Sequence, residues 1–188
     1  MIDKPRLLLH CCCAPCASYV LEYLAPSYNI TALFYNPNIF PQDEYDKRAA
    51  ELRKLAALAA YSDGVDVSIV DYDAAIFDDA ASPFLHEPEG GRRCRICFEI
   101  RLAETLRLAI EGGFDVFATT LSVSPHKDAE MLNEIGDALA AESGVSYLRS
   151  DFKKRDGYKR SVELSKQYGL YRQAYCGCKP SLVIACNR

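Results

Sequence analysis

The sequence contains no run of about 18 apolar residues, so nothing in it is long enough to cross a bilayer as a helix. Its first residues, MIDKPRLLLHCCCAP, offer three apolar positions in a row before a histidine, far short of the core of a secretory signal. Both absences lead to the expectation of a cytoplasmic protein with no membrane partner. A glycine-rich phosphate loop is missing too. No GxxxxGK[ST] occurs, and the turn after the first apolar run carries cysteines where a nucleotide-binding α/β domain would place glycines. Hydrolysis of ATP or of a dinucleotide is disfavoured on that ground. The chain also lacks internal repeats, low-complexity tracts and any linker that would divide it.

What it does have is a length of 188 residues, 49% of them apolar and 26% charged. That is enough for one domain with a real core and too little for two comfortable ones, so a single α/β domain over 1–188 is expected. Short apolar runs alternate with helical patterns. Strands are expected at Arg6–His10, Ile30–Tyr35, Val65–Val70, Asp115–Thr119 and Val145–Arg149. Between them, Tyr45, Ala49, Leu52, Ala56 and Ala59 line one helix face, Phe98, Leu102, Leu106 and Ile110 a second, and Met131, Ile135 and Leu139 a third. The second is closed by Gly112-Gly113. Five strands interleaved with helices give a mainly parallel sheet with right-handed crossovers. Ligands bind above the carboxyl edge of such a sheet. The segments leaving strands one, two and four, HCCCAPC, FYNPNIFP and TTLSVSPHKD, should therefore converge at one rim.

Nine cysteines in a reducing compartment point to metal binding or redox catalysis rather than structural disulfides. They fall into groups: Cys11, Cys12, Cys13 and Cys16; Cys94 and Cys97; Cys176 and Cys178; with Cys186 alone as a tail thiol. A lone CxxC is weak, but two thiol groups can close a four-sulfur site. Zinc and an iron-sulfur cluster both accept four cysteines. Neighbouring side chains such as Cys12 and Cys13 are expected to point apart, which suits the separated corners of a cluster better than one zinc ion. A rival reading takes Cys13-Ala-Pro-Cys16 as a thioredoxin-like dithiol at a helix start, which leaves Cys12, Cys94 and Cys97 without a role. Cys176-Gly-Cys178 could close only a small, strained and easily reduced ring, which favours a redox pair over two idle thiols or extra ligands.

Charge is as uneven as sulfur. The formal total is −4, yet residues 149–179 hold nine Lys/Arg against three acids, +6 in that segment and −10 in the remainder. An acidic protein with one basic stretch suggests a localised polyanion contact. The same stretch interleaves Lys153, Lys154, Arg155, Lys159 and Arg160 with Phe152, Tyr158, Tyr168, Tyr171 and Tyr175. Phosphate contacts with stacking on unpaired bases would grip an RNA loop. In TTLSVSPHKD, His126 and Lys127 stand at a helix start, where free backbone N–H groups suit an anion, although a plain helix cap has the same look. Tyr35, Asn36 and Asn38 are candidate contacts to a polar ligand in a segment that is also ordinary turn chemistry. His10 is either a ligand, a proton donor or a satisfied core residue.

Taken in order, LLLHCCCAPC, FYNPNIFPQDEYDKR, EPEGGRRCRICFEIRL, FATTLSVSPHKD and DFKKRDGYKRSVELSKQYGLYRQAYCGC resemble the cobalamin-independent epoxyqueuosine reductase family, QueH, over residues 6–182. The resemblance implies an adenine nucleotide α-hydrolase-like (HUP-type) architecture with the nucleotide loop replaced by cysteines. It implies two-electron deoxygenation of epoxyqueuosine to queuosine at the wobble position of a tRNA anticodon loop, with electrons from an unidentified donor. It assigns Cys12, Cys13, Cys94 and Cys97 to a [4Fe-4S] cluster and Cys176 with Cys178 to a redox-active disulfide. It also admits an additional metal ion, iron, beside the cluster, with Cys16 and a nearby carboxylate as candidate ligands. Lys127, His126 or a tyrosine would be the proton donor. Cys11 stands where the family commonly has a small residue without a thiol, so it inherits no role. Other classes to separate from this one are a zinc-stabilised RNA-binding module and the Cys13/Cys16 thiol-disulfide oxidoreductase.

Overall fold

The structure, a computed structural model, describes residues 4–59, 65–154 and 156–186. It begins with β1 (Arg6–His10), in which every residue after Arg6 is buried. A strand apolar on both faces must be central in a sheet covered on both sides. Accordingly β1 pairs in parallel with β2 (Asn29–Phe34) and with β4 (Val116–Thr119). β3 (Asp66–Ile69) adds beyond β2 and β5 (Ser146–Tyr147) beyond β4, giving the parallel order β3-β2-β1-β4-β5 of a doubly wound, HUP-like sheet.

Alternation along β1 divides the core. Leu7 and Leu9 pack on one face with α1 (Ala14–Leu24) and α2 (Gln42–Leu58). Leu8 packs on the other with α4 (Arg92–Glu111) and α5 (Ala129–Ala140). Three further helices, α3 (Ala75–Ala81), α6 (Gly157–Gln167) and α7 (Lys179–Cys186), carry no long apolar period and are not foreshadowed by the sequence pattern. Among the described residues no helix is long and apolar enough to cross a membrane.

Each expected strand is found within about a residue or two, except that β5 is only two residues long. The chain still follows the sheet there, since Leu148 N donates to Phe117 O (2.9 Å). In the helices the expected stripes drift. Leu55 and Ala109 are buried where Ala56 and Ile110 were expected, and Ile110 is half exposed. In α4 the series is stepped by four and runs ahead of a 3.6-residue turn by about 40° per step, so its last member, Ile110, leaves the buried face, whereas the α2 series, spaced four and three, stays on its face through buried Ala59.

Candidate active site

β1 ends at His10, the chain bends at Cys12, and α1 opens at Ala14 with Cys13 as its extended N-cap and Pro15 in its first turn. The segments leaving β2 and β4 come to the same place. Asn36 Nδ2 donates to Cys11 O (3.0 Å), Cys12 N donates to Thr120 Oγ1 (3.2 Å), and Thr120 Oγ1 lies 3.5 Å from Cys12 Sγ. The convergence expected from topology is present.

Cys12, Cys13 and Cys16 bring their sulfurs within 4.8 Å of one another, and Cys12 and Cys13 are 3.8 Å apart. The expectation that adjacent side chains diverge fails because strand alternation stops at His10, before the bend. A separation of 3.8 Å also matches two thiolates on one tetrahedral ion with about 2.3 Å bonds, so adjacency does not by itself favour a cluster. Hydrogen bonds from Cys12 and Cys16 hold the Cys13 thiol well below its ordinary range, while the same contacts push Cys16 well above it. Cys11 stands apart: it is fully buried in the core, its Sγ lies 3.4 Å from Leu9 O, and burial pushes its thiol up.

The second group forms around α4. Cys94 sits in its first turn, and Cys97 follows one turn later. Both line a cavity of about 10 Å³ with Cys176, Cys178, Asn38, Arg93, Arg101 and Lys127. Burial pushes the Cys97 thiol up to about 12, against the opposing pull of Arg101. An adjoining cleft of about 480 Å³ is walled by Cys12 and Cys16 and shares Arg101, Lys127 and Cys176 with the small cavity. The two thiol groups therefore face each other across three common residues. Cys94 and Cys97 do not belong to the compact trio of Cys12, Cys13 and Cys16.

The turn carrying Cys176 and Cys178, both free thiols, is clamped from beneath. Buried Arg48, paired with Glu44 (2.7 Å), donates to Cys176 O (3.1 Å) and Tyr175 O (3.3 Å). Phe40 N donates to Gly177 O (2.9 Å). Gly177 adopts φ +133, which glycine alone accepts readily, and an added Cβ would lie 3.1 Å from Asn38 and Ile39.

Lys127 is buried beside this turn, with Nζ 2.8 Å from Glu89. Burial pulls its ammonium down, but Cys176 and Glu89 outweigh that and hold it raised. Exposed His126 also lines the cleft. No free helix N-terminus is offered there, because Asp128 accepts from Glu130 N and Met131 N and caps α5. Tyr35 and Asn36 are buried outside the cleft lining. Tyr35 O receives His10 Nε2 (3.1 Å), and Asn36 Oδ1 receives Arg101 (3.4 Å). Asn38 lines the small cavity. His10 is a satisfied core residue: its Nδ1 meets Thr119 Oγ1 (2.9 Å), and burial, helped by Arg101, lowers it to about 4.

The basic segment is partly committed within the chain. Arg160 is bidentate to Glu22 on α1 (2.7 and 2.9 Å), and Lys153 and Lys154 share Asp151, whereas Lys159 is exposed. Arg155 lies outside the described residues. Phe152 is core, Tyr168 packs against it, Tyr171 hydrogen-bonds Glu44, and Tyr175 hydrogen-bonds Phe40 O. Of the five aromatics, Tyr158 is the exposed one, and it borders the cleft. Residues the sequence did not single out are Arg48, Arg93, Arg101 and Glu89. The spacing of Cys97 and Arg101, four apart on one helix, was the available signal.

The donor set fits a thiolate-held metal or cluster. Three sulfurs already lie at ligand spacing, one of them drawn toward thiolate, and four more stand across the shared wall.

Fold and site together define a thiol-rich α/β protein with a metal-competent cysteine cluster and further thiols gathered at the carboxyl edge of a parallel sheet. Residues 7–183 match the model of the family described as epoxyqueuosine reductase QueH. Curated relatives of that name agree. The chain is 44% identical to the one from Streptococcus pyogenes serotype M1, covering 93% of this chain and 69% of that protein. It is 41% identical to the one from Staphylococcus epidermidis (94% and 76%) and 34% identical to the one from Thermotoga maritima (94% and 90%). The chain belongs to the epoxyqueuosine reductase QueH family, a family of oxidoreductases.

Proposed function

We propose that this chain reduces the epoxide of epoxyqueuosine at the wobble position of tRNA to give queuosine. The observation that carries the reading is the cleft lined by Cys12, Cys16 and Cys176 and adjoining the Cys94/Cys97 cavity, with Cys176 beside buried Lys127 and its exposed partner Glu89. Opening the epoxide to an alkene consumes two electrons and two protons and releases water. Oxidation of the Cys176/Cys178 dithiol to a disulfide yields two electrons and two protons, so the step balances, and an external reductant must restore the dithiol. Cys12, Cys13, Cys94 and Cys97 would hold a [4Fe-4S] cluster, with Cys16 available to an adjacent iron. When bound, such a group supplies transfer of electrons one at a time. Lys127 holds a proton at the cleft wall and is the candidate donor to the departing oxygen; His126 lines the same wall.

Lys153, Lys154, Arg155 and Lys159 are the proposed contacts to tRNA phosphates, which set position, while Arg160 is held by Glu22 and the cleft reads the modified base. Tyr35, Asn36 and Asn38 support the rim from behind. A base in a single-stranded loop is turned into such a cleft at lower cost than one in a duplex.

The test is direct. Anaerobically prepared protein, reduced with dithionite, is incubated with epoxyqueuosine-containing tRNA, and the nucleosides are separated by mass. Queuosine should appear in wild type and fall by at least about 10²-fold in Cys176→Ser. Turnover unaffected in Cys176→Ser, Cys178→Ser and the double variant would reject the dithiol role.

A zinc-held RNA module draws support from one observation, the 3.8 Å separation of Cys12 and Cys13. It leaves the clamped Cys176 and Cys178 turn without a purpose.

A further inference from the structure

Two arginines stand inside the protein with too few partners. Arg93 and Arg101 are each 2% exposed, on the same helix as Cys94 and Cys97, and both line the small thiol cavity. Arg101 Nε donates to Cys97 O (2.9 Å) and Nη1 to Asn36 Oδ1 (3.4 Å), but Nη2 has no partner among the described residues. Arg93 Nη1 donates to the carbonyls of Leu85 and Glu87, and its Nε is likewise unpartnered. Among the described residues neither guanidinium has a carboxylate within ion-pair distance. The one acid bordering the adjoining cleft, Glu89, is taken by Lys127.

A guanidinium cannot shed its proton, so burial without a counter-charge is costly in a way that a water molecule cannot repair. A cavity of about 10 Å³ holds at most roughly one water. The groups that can supply negative charge here are the sulfurs of Cys94, Cys97, Cys176 and Cys178 and, on the cleft side, Cys12 and Cys16. Three buried cations face one carboxylate, an excess of two positive charges. A four-iron cluster on four thiolates carries about two negative charges in its oxidised state and one more when reduced.

We infer that Arg101, seconded by Arg93, is the built-in counter-charge of the thiol-held metal group, stabilising its more negative, reduced form and so raising its reduction potential. The inference rests on the proposed iron-sulfur reading, and it concerns positioning and electrostatics, since neither arginine need touch substrate. It also accounts for the placement of Arg101 between both cavities, where one fixed charge reaches the sulfurs of either group. A residue present only for packing would have no reason to be an arginine at 2% exposure with one nitrogen unsatisfied.

The test compares wild type with Arg101→Gln and Arg101→Lys, each reconstituted without oxygen with iron and sulfide. Two readouts are taken: the midpoint potential by optical redox titration, and the gain in melting temperature on loading the metal-free chain. Arg101→Gln should shift the ratio of reduced to oxidised protein at fixed potential by about tenfold toward oxidised, about 59 mV for one electron. It should also cut the melting gain by at least about 2–4 °C. Arg101→Lys, which keeps the charge, should restore most of both. An unchanged potential and an unchanged gain in Arg101→Gln would overturn the inference. So would a metal-free Arg101→Gln chain that does not fold, because that makes the residue structural. A wild-type chain that takes up no iron removes the underlying iron-sulfur reading instead, and the two failures are told apart by that control.

Discussion

Residue by residue, the four thiols of HCCCAPC are not equivalent, and the structure separates them by direction. Cys11 points into the core between β1 and α1, while Cys12, Cys13 and Cys16 turn toward one another. Cys11→Ala should therefore keep the metal and lower stability by about 1 kcal/mol in urea unfolding. Cys12→Ser and Cys13→Ser should each weaken metal binding by more than about tenfold, read by iron analysis after anaerobic reconstitution. Iron lost with Cys11→Ala and kept with Cys13→Ser would reverse the assignment. At Lys127 the expectation is kinetic. Lys127→Met should lower kcat by about 10²–10⁴-fold with a smaller change in KM, and an unaltered kcat would remove it as proton donor. The cysteines and Lys127 were legible from the sequence because their chemistry marks them. Arg101 and Arg48 were not, because an arginine on a helix is ordinarily a solvated one and only burial distinguishes these two.

At the level of elements, the sheet was legible almost throughout, since β1, β2 and β4 are short, mostly buried apolar runs, while the edge strands β3 and β5 are half exposed and announce themselves more weakly. Helices defined by apolar period, α2, α4 and α5, were legible, α4 to within the drift of its four-step series. α3, α6 and α7 were not, since their packing depends on partners distant in sequence. α6, for example, is held against α1 by Arg160 on Glu22, and Gly157 approaches so closely that an added Cβ would collide with the Tyr19 ring of α1 and with Phe152 O. The turn between Cys176 and Cys178 is likewise a product of assembly. Arg48 beneath it is paired with Glu44, so Arg48→Met leaves a half-buried carboxylate with only the Tyr171 hydroxyl and should cost about 2–3 kcal/mol. It should also speed the reaction of Cys176 with a thiol reagent. Gly177→Ala should have the same effect on reactivity by straining the backbone. Thiol reactivity equal to wild type in both would show that the clamp does not set the turn.

For the molecule as a whole, the acidic bulk and basic C-terminal segment promise a salt-dependent contact with RNA, and the structure ranks the cations within it. Lys154 and Lys159 are exposed, whereas Arg160 is spent on Glu22 and Glu163. Lys154→Ala and Lys159→Ala should each reduce the slope of log affinity for tRNA against log salt by about 1. Arg160→Ala should mainly lower stability, and slopes unchanged in both lysine variants would move the RNA surface elsewhere. The aromatic interleaving, read from sequence as stacking, is mostly packing, with Tyr158 the exposed member beside the cleft. These surfaces matter only if the cleft they border holds the redox group assigned to it. Iron and acid-labile sulfide determined on protein never exposed to air put that claim to its most direct test. The account requires about four of each per chain, with colour that bleaches on reduction; stoichiometric zinc without iron would contradict it.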